Sequence, residues 1–422
     1  HPYVDGLNQQ FASTLTNSDR AVFAFPSLAV AQQCVAFAGD GHAQMAQNGL
    51  AFAVLPEALR GKGKEFWQHT GQIVSSRQAK NTLTNREAAP REILVRLKER
   101  VGGLYNTQPD EVYLSPTGMS AIFQIYQAVV AKRGTKTIQF GFPYADTWKI
   151  QQKFGEGSIF VPYNSAADFD ILENLLRENK ISAVFCEVPN NPLLRTPDMP
   201  RLKVLLTKYG VPLIIDDTLG PPLNLNLQPY ADVQVVSLTK SFVGTCNVMG
   251  GAVVLNTQSP HYQSIKDHFK ATFEELLHPD DAQVLLGGAR DYAERLAFMN
   301  DNAARLANFL RKHPLVDQVY YTDQDPNYEA LRRLNGGYGG LLSFTTHTPE
   351  GAFGFYDRLL AAEGPSLGAN CTLVCPYALL AHYHELPWAQ SHGVAPHLMR
   401  VSLGLENYTS IERAFAKAFN FG

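Results

Sequence analysis

Residues 232–251 read DVQVVSLTKSFVGTCNVMGG. Val233–Val236 has the apolar character of a buried strand. Ser237 and Thr239 follow, then Lys240, then the glycines of a turn. A lysine at the end of a buried strand is partly desolvated, which lowers its pKa and keeps more of the amine neutral and nucleophilic. Hydroxyls one and three residues ahead of it are placed to hold a phosphate. The combination points to a Schiff-base lysine beside a phosphate cup, as pyridoxal 5′-phosphate chemistry requires. A solvated lysine capping a strand gives the same short pattern. The rest of the chain has to choose between the two.

Outward from this stretch, helix and strand patterns alternate. Strands are expected at Glu111–Leu114, Thr135–Phe140, Ser158–Pro162, Ala183–Val188, Val211–Asp216, Val233–Thr239 and Gly251–Leu255. Helices are expected at Pro90–Val101, Gly118–Lys132 and Pro200–Tyr209. Such alternation implies an α/β fold, a mostly parallel sheet flanked by helices, with ligands beyond the carboxyl ends of the strands. After Asn256 the pattern changes to long helical stretches, Ser259–Leu277 and Ala282–Lys312. Strands at Val319–Thr322, Leu341–Thr346 and Arg400–Leu405 mark a smaller C-terminal α+β domain. The expected division is an N-terminal arm or segment over 1–65, with a short strand at Ala21–Phe25 and a helix at Ser27–Ala38 capped by Ser27, a large cofactor-binding domain over 66–257 and a small domain over 258–422. The polar, turn-rich stretch Gly61–Leu83 is expected to be a loop that reaches a neighbouring subunit.

Composition narrows the function. A chain of 422 residues, 45% hydrophobic and 18% charged, has the profile of a soluble globular protein of two or three domains. A net charge of -3 gives no reason to expect nucleic acid or a membrane as partner. Five cysteines without framework spacing suit a reducing compartment, so a cytoplasmic location is expected. His382 and His384 flank Tyr383, but no further ligands accompany them, and no metal site is expected.

Four more segments carry residues that the expected sheet would bring near Lys240. LSPTGMSAI (114–122) is a strand, a turn and a helix start, so Gly118 and Met119 offer free N–H groups to a phosphate. PLIIDDTLG (212–220) ends a strand at Asp216, where a carboxylate could keep a pyridinium nitrogen protonated; strand alternation points Asp217 the other way. Tyr144, in GFPYADTW, could stack on a flat ring. Asn191, in EVPNNP (187–192), could hydrogen-bond a phenolic oxygen.

SLTK ending at Lys240, DDT from Asp216, TGM (117–119), Tyr144, EVPNNP and RVSLGLE (400–406) together resemble the Cys/Met-metabolism family of pyridoxal-phosphate enzymes, of fold type I. WQHTG with SSR, SLTKSFVG with NVMGG, and GPSLGANCTLVCPYALLAHY resemble its fungal cystathionine γ-synthases more than bacterial ones. The resemblance covers about Phe66 to the C-terminus. It implies Lys240 as Schiff-base lysine and proton shuttle, and Asp216 as pyridinium partner. Tyr144 would stack on the ring and assist proton transfer, and Asn191 would contact the cofactor oxygen. Gly118, Met119, Ser237 and Thr239 would hold the phosphate, with Arg77 reaching the phosphate of a neighbouring subunit. Arg400 and Ser366 would grip the substrate α-carboxylate. A homodimer is then the catalytic unit, commonly paired into a tetramer.

Three departures from the family pattern stand out. Ser75 replaces the tyrosine of Tyr-Ser-Arg, the loop after the lysine reads GTCN (244–247), and Cys371 replaces the glutamate of SLGG-x-E. The implied reaction is γ-replacement on an O-acyl-L-homoserine with cysteine as nucleophile. The departures keep open a carbon or amine nucleophile, or γ-elimination. A non-catalytic α/β binding protein is the reading from another class, which an intact lysine, aspartate and phosphate cup argue against. GGYGG (336–340) is not a GxGxxG fingerprint and opens no strand–helix unit, which disfavours a nicotinamide enzyme.

Overall fold

The computed structural model describes residues 1–15, 19–46, 49–163 and 165–420. Its centre is a seven-stranded sheet in the order Val112–Ser115, Gly251–Leu255, Val233–Ser237, Leu213–Asp216, Val184–Glu187, Thr137–Phe140 and Ser158–Val161. Gly251–Leu255 runs antiparallel to both neighbours, and the other pairings are parallel. Leu213 and Ile215 pack on one face with the helices Asp168–Glu178 and Met199–Tyr209. Ile214, Phe185 and Val235 pack on the other, against the helix Gly118–Arg133. Both faces are therefore buried, which explains strands of near-continuous apolar residues.

The period of two then assigns the strand ends. Glu187, Asp216 and Ser237 continue the face that carries Phe185, Ile214 and Val235, the face of the Gly118–Arg133 helix. Asp217 falls on the opposite face, where Tyr105 and Gln234 donate to its carboxylate at 2.9 and 2.8 Å.

The C-terminal part holds a five-stranded sheet in the order Val316–Tyr320, Leu341–Thr346, Met399–Ser402, Leu373–Pro376 and Ala362–Glu363. The helices Tyr292–Arg311, Pro349–Arg358 and Tyr408–Phe419 close its core. The helices Tyr262–Thr272 and Pro279–Gly288 pack instead on the cores of the large sheet, through Ile265, Phe269 and Leu285. Packing thus hands over from one core to the other within Tyr292–Arg311, whose Leu296 joins the first and Leu306 the second.

Residues 1–65 hold the expected strand and helix, as Arg20–Phe25 and the Ser27-capped Leu28–Ala38, and add Ala51–Pro56 and His42–Met45, which complete an antiparallel three-stranded sheet, and the helix Pro2–Ala12. One expectation changes. The expected loop Gly61–Leu83 is mostly two helices, Arg60–Thr70 and Ser76–Thr84. The first buries only Gly63, Phe66 and Thr70, so it lacks a periodic apolar stripe. Phe66 is its main anchor, edge-on to Phe25, Phe123 and Phe154, with Trp67 packed beside it. No helix among the described residues is long and apolar enough to cross a membrane.

Candidate active site

Lys240 follows the Val233–Ser237 strand in a tight turn closed by Gly244 N–H on the Lys240 carbonyl at 3.0 Å. Its Nζ donates to Ser366 Oγ at 3.4 Å. Burial pushes the amine's pKa down, and the Arg400 charge adds to this; Cys246 and Asp216 oppose. A lowered pKa leaves a larger neutral, nucleophilic fraction near neutrality.

Asp216 lies within the electrostatic reach of that amine. Burial pushes its carboxyl pKa up, while hydrogen bonds from Thr218 and the Lys240 charge pull it down. The Thr218 N–H donates to Asp216 Oδ1 at 3.0 Å, and Thr218 Oγ1 accepts from the Ser237 N–H at 2.9 Å. Thr218 thereby ties the carboxylate strand to the lysine strand. It lies in the quoted DDT motif, yet the sequence gives no reason to single it out.

Thr117 caps the Gly118–Arg133 helix through Ser120 N–H at 3.0 Å, and the amides of the first turn have no partner in the helix ladder. The helix start abuts the lysine strand: a Cβ on Gly118 would come 2.8 Å from Ser237 Cβ and 3.0 Å from its Oγ. Thr239 Oγ1 is bound to Gly250, accepting its N–H at 3.1 Å and donating to its carbonyl at 3.3 Å.

Tyr144 caps the Ala145–Lys153 helix with 42% of its surface exposed, and its backbone N–H donates to Glu187 Oε1. Asn191 is buried, donating to Tyr377 Oη at 2.9 Å and accepting from Arg400 Nη1 at 3.3 Å. Arg400, 3% exposed, donates through Nη2 to the carbonyls of Pro365 and Ser366, and lies 4.8 Å from the Tyr377 ring. Tyr377 and Glu187 are site neighbours that the sequence reading does not single out. Both lie within quoted motifs, but their partners come from other segments.

The loop 364–372 closes the small-domain side. Gly368, at φ +70°, presses on the lysine turn so closely that a Cβ would sit 2.3 Å from Ser241 N. Asn370 N–H donates to the Gly244 carbonyl at 2.7 Å, which joins the two departing segments GTCN and GANC. Cys371 and Cys246 are both exposed, and burial, Glu406 and Cys246, in that order, push the Cys371 thiol pKa up.

Lys240, Asp216, Ser237, Gly118, Met119, Thr239, Asn191, Arg400 and Ser366 thus come together around the strand ends. Arg77 does not join them within its own chain: its Nη1 donates to Asp281 Oδ1 at 3.0 Å. The cluster fits pyridoxal phosphate on three counts. It offers a partly desolvated amine, a half-buried carboxyl with an N–H holding it in place, and a helix start pressed against Ser237.

Residues 66–420 match the model of the Cys/Met metabolism PLP-dependent enzymes. A cystathionine gamma-synthase of Neurospora crassa is 41% identical over 327 residues, covering 75% of this chain and 53% of that protein. A cystathionine gamma-synthase-like enzyme of Amanita muscaria is 38% identical, covering 73% and 54%. The chain thus spans about half the length of these curated relatives. Among solved structures, a cystathionine gamma synthase of Xanthomonas oryzae, in complex with aminoacrylate and cysteine, superposes with a TM-score of 0.69 at 25% identity. That superposition covers 78% of this chain and 86% of the other. The chain belongs to the pyridoxal-phosphate-dependent enzymes of Cys/Met metabolism, with the fold type I architecture.

Proposed function

We propose that the protein catalyses γ-replacement on an O-acyl-L-homoserine, forming a C–S bond with cysteine. The observation that carries this is the setting of Lys240 Nζ, partly desolvated, bonded to Ser366, and acted on by both the Arg400 and the Asp216 charges. The matched cystathionine gamma-synthase of Neurospora crassa supports the choice of reaction.

Pyridoxal phosphate, when bound, supplies an electrophilic carbon for the substrate amine and a ring that accepts electrons as protons leave. Gly118, Met119 and Ser237 hold its phosphate, with Thr239 stiffening the turn beneath through Gly250. Asp216 faces the ring nitrogen, where a cationic partner favours its ionised form. Tyr144 offers its exposed ring for stacking, and Asn191 an amide for the phenolic oxygen.

Arg400 is suited to a two-pronged grip on the substrate α-carboxylate because its guanidinium is already fixed by Asn191, Pro365 and Ser366. That grip presents the α-hydrogen to Lys240 Nζ, which removes it and later returns it. With the cofactor in place, Lys240 Nζ would also take a proton from Cβ after passing on the first, so that the γ-acyl group leaves as its carboxylate anion and the cysteine sulfur takes its place at Cγ. In the assembled protein Arg77 reaches the phosphate of a neighbouring subunit, which makes a homodimer the smallest active unit.

The test is incubation with O-acetyl-L-homoserine, with and without L-cysteine, followed by mass spectrometry. Cystathionine is the expected product. Acetate and 2-oxobutanoate without cystathionine would replace this reading with γ-elimination. The contact between GTCN and GANC at the mouth favours one second reading, a different nucleophile. It is checked by adding carbon and amine nucleophiles to the same incubation.

A further inference from the structure

Glu187 ends the Val184–Glu187 strand and pairs in register with Asp216 across a parallel ladder. Parallel pairing in register puts the two side chains side by side on the same face. Glu187 is 7% exposed. Its Oε1 accepts the Tyr144 N–H, and the Asn191 N–H lies near enough to act on its carboxyl. It therefore holds the backbone of one residue that flanks the cofactor, and stands beside two more.

The charges around it decide its state. Asp216 faces it from the neighbouring strand, and Tyr144, Asn191, Tyr377 and Cys186 are the other polar neighbours. The cations lie elsewhere: Lys240 acts on Asp216, and Arg400 sits over the Tyr377 ring. Among the described residues, no lysine or arginine makes an ion pair with Glu187 or Asp216. Two carboxyls side by side, one buried and one half-buried, resist carrying two charges, and the one closer to a cation keeps the charge. Burial and the Asp216 charge both push the Glu187 pKa well up, against two backbone N–H groups that pull it down.

We infer that Glu187 is a positioning residue: a neutral acid that anchors the Tyr144 backbone beside the cofactor and leaves the negative charge on Asp216. The inference rests on the reading of Asp216 and Tyr144 given above. A carboxylic acid replaced by an amide keeps both neutrality and the accepting oxygen. A carboxylate replaced by an amide loses a charge beside the ring.

Glu187→Gln and Glu187→Ala separate these cases through two readouts besides turnover. One is the affinity of the apo-protein for pyridoxal phosphate, and the other is the pH dependence of the bound cofactor's visible absorbance. With Gln, affinity is expected within about threefold of the parent, since the hydrogen bonds persist. The absorbance midpoint is expected to stay within about 0.3 pH unit, since no charge is lost. With Ala, affinity is expected to fall about tenfold, the equivalent of one lost hydrogen bond. A Gln midpoint moved by about one pH unit or more overturns the inference, because Glu187 was then charged. An Ala variant that binds like the parent overturns it too. If the Ala variant fails to fold by circular dichroism, the Gln midpoint decides alone. Asp216→Asn, measured alongside, keeps the failures apart. Unchanged affinity and absorbance in that variant overturn the reading of Asp216 and the charge-keeping half of the inference, and the Ala result still judges the anchoring half.

Discussion

The two walls of the site are built differently. The large-domain wall is made of strand ends and a helix start that hold one another. Thr218 joins Asp216 to Ser237, Gly118 closes on Ser237, and Thr239 is locked to Gly250. Each position is set by a sheet buried on both faces. The small-domain wall hangs on one loop, 364–372, held by Ser402 Oγ to Gly368 N at 2.8 Å, by Gly244 and by Arg400. Its tip exposes Asn370 and Cys371. On the proposed reaction, rigid strand ends would hold the part that every turnover repeats, and a loop the part that selects what enters.

The largest expected effect falls on the first wall. Lys240→Ala removes the group that moves the proton, so turnover is expected to fall by about 10⁴-fold or more. Loss of borohydride-trapped cofactor on the chain checks the same variant without reliance on activity. Ordinary turnover would break the claim that this wall performs the repeated chemistry. Arg400→Ala comes next. Loss of a buried, hydrogen-bonded guanidinium should raise KM for the amino acid about a hundredfold. It should also move a pH profile. The Arg400 charge helps hold the Lys240 pKa down, so its removal raises that pKa and shrinks the neutral fraction at a given pH. The rate at which apo-protein takes up cofactor, which rises with pH as the amine loses its proton, should then reach half-maximum at a higher pH. An unmoved half-maximum would put the two charges too far apart to act on each other.

Thr218→Val sharpens the comparison on a smaller scale. The Ser237 N–H would lose its acceptor, while the Thr218 N–H to Asp216 stays, at a cost of about 1–2 kcal/mol to folding, read from urea unfolding. Weaker cofactor retention should accompany it. No change in either would mean that the two strands need no tie.

How far the sequence carries each wall follows from the same contrast. The strand ends are readable because short apolar runs lead to them, and the period of two separates Asp216 from Asp217 before any coordinates. Glu187 obeys the same alternation, but its significance depends on Asp216 in the neighbouring strand, a pairing that only register reveals. Tyr377 is harder still, since its partners Asn191 and Arg400 lie 186 residues away and on another strand. The helices Arg60–Thr70 and Ser76–Thr84 are hidden for a different reason. Few of their residues are buried, so the pattern that marks a helix is nearly absent. Ala51–Pro56, by contrast, is a plain apolar run, AFAVLP, whose partner His42–Met45 is mostly exposed and gives no signal.

The smallest expected effect belongs to the loop tip, and it tests the comparison most directly. Cys371 is exposed, its thiol is held toward the neutral form, and it interacts with Cys246 across the joined segments. It touches none of the groups that hold the cofactor or move the α-proton. Cys371→Ala should therefore leave exchange of the substrate α-hydrogen with D2O within about twofold of the parent, as expected for a change outside the hydrogen-bonded network. The ratio of replacement to elimination products should move further, by about three- to tenfold, the scale of one small side chain in a selecting pocket. A large fall in α-hydrogen exchange would tie the loop to the repeated chemistry and erase the distinction between the walls. An unchanged product ratio would leave the nucleophile's entry to another part of the mouth, with the neighbouring Cys246 the first position to vary.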